Sequence, residues 1–331
     1  MRKYDDPNCV LDTGDLEDII ADFDRFYAES REYYKDAVSS DFEKIGHVLY
    51  SFSFNLKEEL RREIAGWISQ KIDGNPPIVR MYLYSLVLGI CPDSATVGQA
   101  LDYLLDNTGY FTKNNLYYYA YQLMVITFSR QEADSIDIRI KLWKLLNLIY
   151  EIFEKEVTVS LETIPMEKRN PNLILVLTEQ MVTVEHGPTK TALDRCKAIM
   201  TRMDKEVLLI CTNEILSLAG KFPFAGVAFG HEGQYEDAEE IEWKGVRIPF
   251  FNVKESMPNV DVIDELLGLI RKLAPSRIVT IGGKGVLANL ADRIIPCVDI
   301  GLCPSAIEPT SVSYQTLGRP MEVMRWSFYR Q

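Results

Sequence analysis

Leu173 to Leu177 is the tightest constraint in this chain: five branched apolar residues in a row, with no polar alternation, fronted by Pro171 and followed by polar residues from Glu179 onward. Such a strand must be covered on both faces, and the sheets that achieve this are parallel ones flanked by helices. The next segment fits the same plan. His186, Gly187, Pro188 and Thr189 read as a turn whose proline falls in the first turn of a helix, where its missing N–H costs least. That helix runs to about Met203. Ala192, Leu193, Cys196, Ile199, Met200 and Met203 recur at three-four spacing and face the sheet, whereas Lys190, Asp194, Arg195, Lys197 and Arg202 face outward. His186 is left at the carboxyl end of the strand, the edge where open α/β sheets bind ligands and helix N-termini offer N–H groups to phosphate.

Beyond this unit the alternation continues. A strand is predicted at 206–211, a short helix near 213–219, and a hairpin from Glu239–Trp243 and Val246–Phe251 around Lys244-Gly245. A helix at 258–274, a strand at 277–281, the loop Gly282-Gly283-Lys284-Gly285, a helix at 286–293 and a strand near 294–300 complete it. Strands alternating with helices imply right-handed crossovers and a doubly wound, mostly parallel sheet. The front of the chain differs. From Asp15 to Phe153 the apolar period is helical throughout, with a first stripe from Leu16 to Tyr27 after a capping Asp15, a polar break at Ser39-Ser40, and helices near 42–54, 56–72, 78–90, 94–106, 115–129 and 134–155, separated by breaks such as Gly74-Asn75-Pro76-Pro77. The fold class is therefore α followed by α/β: an all-α domain over 1–157, a linker over 158–170 where the period breaks, and an α/β domain over 171–331. A length of 331 residues suits two domains.

Charge and cysteines narrow the function classes. Of the net −12, residues 1–165 carry −10, from 17 Lys+Arg against 27 Asp+Glu, and no basic stripe interleaves with aromatics. Nucleic acid is an unsuitable partner for such a surface. There is no apolar run of about 18 residues and no signal-peptide pattern at the N-terminus, so no transmembrane segment and a cytoplasmic location are expected. The six cysteines show no paired spacing and most lie in apolar runs, which suits free thiols.

Three groups invite a chemical reading. His186 can act as a general base or bond a phosphate, since an imidazole titrates near neutral pH; the alternative is a histidine that caps the helix. The glycines of 282–285 let backbone N–H groups approach a ligand oxygen, but the loop matches neither G-x-G-x-x-G nor a P-loop and also suits a tight turn. The acidic run Glu232–Glu242 lacks the ligand spacing of a metal loop, so no metal is expected. His47, His231 and the cluster Tyr117, Tyr118, Tyr119 and Tyr121 read as structural.

At T-E-Q-M-V-T-V-E-H-G-P-T-K-T (178–191), I-G-G-K-G-V-L-A-N-L-A-D (281–292) and P-S-A-I-E-P-T-S-V-S-Y-Q-T-L-G-R (304–319), the chain resembles the first Rossmann-like domain of GT-B glycosyltransferases. The nearest likeness is to bacterial enzymes with an all-α domain in front, including the adhesin N-glycosyltransferases, and more distantly to the O-linked GlcNAc transferases. In the latter a histidine closely followed by Pro-Thr lies at the active site; His186, Pro188 and Thr189 match it with Gly187 inserted. The resemblance covers about residues 170–320. It implies a nucleotide-sugar donor, a protein or glycan acceptor, His186 as the catalytic residue, and Glu185, Gly187, Thr189, Lys190, Gly282, Gly283, Lys284 and Ser311 as substrate-binding residues. No cofactor is expected in this chain. The family's second Rossmann-like domain, which grips the donor, has no counterpart in these 331 residues. The expectation is thus the acceptor-side portion of a longer enzyme, inactive alone, with Met321 to Gln331 as a segment that crosses to or packs beneath a following domain. The other reading is a non-catalytic interaction module with a degenerate glycosyltransferase-like domain.

Overall fold

The computed structural model describes residues 13–33, 38–214, 235–302 and 310–316. They fall into two compact units: one holds the described residues up to 112 together with 121–138, and the other holds 113–120, 139–214, 235–302 and 310–316.

Seven helices occupy the front of the chain: α1 (Leu16–Tyr33), α2 (Ser40–Ser53), α3 (Glu58–Ser69), α4 (Pro77–Ile90), α5 (Ser94–Asp106), α6 (Lys113–Ser129) and α7 (Ile136–Glu154). Their starts follow from local chemistry. The Ser39 side chain accepts the Phe42 N–H, the Asp93 carboxylate accepts the Thr96 N–H at 2.9 Å, and Pro77 opens α4. Helix α4 is apolar nearly all round and is the core of its unit, packed by α2, α3 and α5. Its Tyr82 is fully buried, and the phenol donates to the carbonyls of Phe42 and Glu43 at 3.1 Å. A Cβ on Gly46 would stand 1.9 Å from the Tyr82 oxygen, so only glycine lets α2 and α4 close on that tyrosine. Tyr117, Tyr118, Tyr119 and Tyr121 on α6 are all buried, as packing residues are.

The second unit is built on β1 (Asn170–Thr178), α8 (Gly187–Arg202), β2 (Glu206–Cys211), β3 (Glu240–Trp243), β4 (Val246–Asn252), α9 (Val260–Leu273), β5 (Pro275–Ile281), α10 (Val286–Ile294), β6 (Cys297–Ile300) and β7 (Tyr314–Thr316). The strands form one sheet in the order β3-β4-β2-β1-β5-β6-β7, parallel except for the edge hairpin β3–β4. The strand read first from the sequence is thus the central one. Val176 pairs with Leu209 on one side and Val279 on the other. From β1 the chain winds outward through β2 and β4, then returns to β5 and winds the opposite way. Right-handed crossovers therefore place α8 on one face and α9 and α10 on the other. Ala192, Leu193, Cys196 and Ile199 of α8 pack on Ile174 and Val176 of β1 and Val207, Leu209 and Cys211 of β2. Each buried Leu, Ile or Val among them contributes about 1.5–3 kcal/mol.

Some expectations need correction. Met203 is 55% exposed because α8 ends at Arg202 and Met203 only caps it, so the apolar stripe stops one position earlier. The final predicted strand starts at Cys297 because α10 runs on to Ile294. Strand β7 has no apolar run to announce it. The stretch read as a linker is docked on this unit: the Thr158 and Val159 N–H groups donate to Asp264 at 2.8 Å, and the Ile164 N–H to the Ile294 carbonyl at 2.9 Å. Among the described residues no helix is long and apolar enough to cross a membrane. The expected helix near 213–219, apart from its first two residues, the histidine at 231 and the segment Met321–Gln331 lie outside the described residues.

Candidate functional site

Because β1, β2, β5 and β6 run in parallel, the loops that follow them leave the sheet at one edge. Thr178, the last residue of β1, pairs with Cys211 of β2 and Ile281 of β5, so Glu179, Thr212 and Gly282 start three adjacent loops. The reversal of strand order falls between β1 and β5, the crevice where such sheets accommodate ligands.

Three acids and a lysine are gathered there among the described residues. Glu179 is 6% exposed, Glu214 and Asp299 1% each, and the Lys284 Nζ lies 3.5 Å from Glu179 Oε2. Glu214 comes from the loop after β2 and reaches the start of α10. Its Oε1 accepts the Leu287 N–H at 2.9 Å and its Oε2 the Thr212 hydroxyl at 3.2 Å. Asp299 of β6 accepts the Gly283 N–H at 2.7 Å and the Thr280 hydroxyl at 3.0 Å. Asn289 ties the loop from below, donating to the Gly283 and Gly285 carbonyls at 3.0 and 2.7 Å and accepting the Ser311 N–H at 2.9 Å. The Thr310 hydroxyl also reaches the Gly283 carbonyl, and Tyr150 of α7 donates to the Lys284 carbonyl at 2.6 Å.

The glycines are shaped by these acids. Gly282 has φ +76°, a left-handed conformation suited to glycine. A Cβ on Gly283 would stand 2.5 Å from Thr280 Oγ1 and 2.9 Å from Asp299 Oδ1. On Gly285 it would stand 2.0 Å from Glu214 Oε2 and 3.4 Å from Glu179 Oε1, so the two glutamates meet against the same point of the loop. Burial pushes the Glu214 carboxyl up to about 7, against the opposing pull of the Leu287 and Val286 N–H groups and the Thr212 hydroxyl. Burial, reinforced by Glu179, Glu214 and Asp299, also holds the Tyr150 phenol well above its ordinary value, so it remains a donor.

His186 stands further along the β1–α8 loop, on the same edge. Its backbone starts α8, but its side chain makes no capping bond; instead Nδ1 lies 3.3 Å from Thr189 Oγ1. Thr189 is fully buried and its hydroxyl accepts the Val182 N–H at 3.0 Å, which pins the loop to the helix. Burial lowers the His186 pKa below 6.5, leaving a neutral imidazole able to take a proton at neutral pH. Glu185, Gly187 and Lys190 are exposed beside it. Of the residues singled out from the sequence, Gly283 and Ser311 are knitted together through Asn289, and Lys284 is joined to the end of β1 through Glu179. The Ser311 hydroxyl donates to Asn147. His186, Glu185, Gly187, Thr189 and Lys190 form a second, local group on the loop after β1.

Sequence reasoning overlooked Glu179, Glu214, Asp299, Asn289 and Tyr150. One signal was available: two adjacent apolar strands end in Thr178-Glu179 and Thr212-Asn213-Glu214, an acid placed just past each strand. Among the described residues no group of three His, Cys, Asp or Glu side chains is arranged to hold a metal ion. Comparison with protein-family models gave no match, and no curated protein matched the chain.

Proposed function

We propose that this chain is the acceptor-side portion of a sugar-nucleotide-dependent glycosyltransferase that transfers a sugar to a protein or glycan acceptor. In this reading the α/β unit is the first Rossmann-like domain of a GT-B enzyme. The observation that carries it is the parallel order β4-β2-β1-β5-β6-β7, which reverses between β1 and β5, with His186 on the loop after the first strand. Its lowered pKa suits a base that accepts the proton of the attacking acceptor group. Glu185, Thr189 and Lys190 surround it, and Lys284 with Glu179 borders the crevice.

The donor in this reading is held mainly by a second domain outside these 331 residues, so the chain alone cannot bring the reacting centres into near-attack geometry. Isothermal titration against a panel of nucleotide sugars, followed by transfer assays with peptide and glycan acceptors, tests this directly. Weak or absent binding and no transfer are expected from the 331-residue protein, and transfer from a protein extended by a nucleotide-binding domain. Micromolar binding with transfer by the chain itself would mean the donor site is complete here, and absence of transfer from the extended protein would remove the enzymatic reading.

A further inference from the structure

A glycine-rich loop between a strand and a helix offers a phosphate two things: backbone N–H groups laid open by missing Cβ atoms, and the positive end of the helix. Here both are in use by the protein. The Gly283 N–H donates to Asp299 and the Leu287 N–H, in the first turn of α10, donates to Glu214; the Val286 N–H also supports the Glu214 carboxylate. Both acids are 1% exposed and come from other strands and loops, not from the helix they serve. A plain cap would not require this. Serine, threonine, aspartate or asparagine at position 285 could cap α10 locally. Instead position 285 is a glycine with no room for a Cβ, because Glu214 Oε2 would lie 2.0 Å from it. The small residues of the loop thus make room for internal carboxylates.

We infer that the Glu214 and Asp299 carboxyl groups fill the phosphate places of the 282–287 loop, so that this edge excludes phosphate. The exclusion of phosphate does not rest on the glycosyltransferase reading. Glu179 adds a third acid at the same place, against Gly285 and 3.5 Å from the Lys284 ammonium, so Lys284 already has a carboxylate beside it.

The test is an inorganic phosphate titration of the whole chain at about pH 8, above the Glu214 value of about 7, with chloride at matched ionic strength as control. Amide chemical shifts at Gly283, Val286 and Leu287 and the melting temperature are read. Wild type is expected to show no phosphate-specific change. Glu214→Ser, which vacates the helix terminus, should gain phosphate-specific shifts at Val286 and Leu287 and a phosphate-dependent rise in Tm by mass action. Glu214→Gln, which fills the same space without charge, should gain neither. Phosphate-specific shifts at these amides in wild type, or a folded Glu214→Ser without the gain, would overturn the inference. If Glu214→Ser does not fold, the wild-type titration alone decides, silence supporting and shifts refuting. No sugar transfer is read, so this result and that of the transfer assay stand or fall separately.

Discussion

Replacing Glu214 by glutamine should make the sheet unit less sensitive to pH. The native carboxyl titrates at about 7 against 4.5 for an unperturbed glutamate, so between those values the folded state binds a proton that the unfolded state has lost. The sign follows: this group's contribution to stability is fully present below about pH 4.5 and is lost as pH rises through about 7. At about 1.4 kcal/mol per pH unit the loss amounts to roughly 3 kcal/mol, and full burial leaves little solvent to screen it. Glutamine keeps an oxygen for the Leu287 N–H and cannot ionise; its amide has the Thr212 hydroxyl and Glu179 as neighbouring acceptors. The other groups at the site, Glu179, Lys284, Asp299 and Tyr150, are common to both proteins and cancel in the comparison. The assay is hydrogen exchange of the β1 and β5 amides from about pH 4.5 to 8, corrected for intrinsic rates, which reads opening of this unit separately from the helical one. The stability gap between Glu214→Gln and wild type should open by roughly 3 kcal/mol in favour of glutamine as pH rises. A gap that stays constant to within about 0.5 kcal/mol would show that Glu214 is already ionised at low pH in the folded protein and that burial does not control it.

Gly285→Ala should cost about 1–3 kcal/mol, because its methyl would overlap the Glu214 carboxyl, which is buried and would have to leave the Leu287 N–H and the Thr212 hydroxyl to make room. Gly187→Ala, with nothing within 4 Å of the added carbon, should instead be neutral or stabilising by up to about 1 kcal/mol, which thermal melts of the two variants would compare. In an extended, active protein, His186→Ala should lower turnover by about 10²–10⁴ with an unchanged melting temperature, and the wild-type rate should fall only as pH drops below 6.5, where the imidazole becomes protonated. Transfer within a few-fold of wild type would leave His186 a purely local role beside Thr189. The Cys196 and Cys211 thiols, both buried and pushed up to about 12, should resist alkylation until the sheet unfolds, as peptide mapping after iodoacetamide would show.

The fold was largely legible because its main elements carry strong periodic signals. Leu173–Leu177 could only be a strand covered on both faces, and it is the centre of the sheet; the helical stripe of α8 landed on β1 and β2 as its spacing required. Lys244-Gly245 marked the edge hairpin because a turn of that length needs left-handed backbone, and both residues adopt positive φ. Strand β7 was not legible. Tyr314–Thr316 is three residues long and takes its place through pairing with β6 and through Asp292, which accepts the Ser313 N–H at 3.0 Å, and neither contact leaves a local pattern. Met203 looked like core for a related reason: periodicity extends a helix until something stops it, and the stop here is set by the turn into β2.

The site was legible only in outline, and the glycine loop shows why. Gly282-Gly283-Lys284-Gly285 reads the same whether the oxygen that approaches its N–H groups belongs to a ligand or to the protein. Deciding between the two requires knowing that Glu214, 71 positions before Gly285, and Asp299, beyond α10, arrive at the same edge. That convergence is a property of parallel topology, since every strand delivers its following residues to one side. An acid one to three residues past a central strand is therefore ambiguous in sequence but not in space: Glu179 and Glu214 are carried to the same sheet edge by β1 and β2. Burying them there is costly unless each is given hydrogen bonds or a counter-ion. The loop glycines, Thr212, the first turn of α10 and Lys284 supply these, which is why the chain spends its smallest residues at the point where its acids meet.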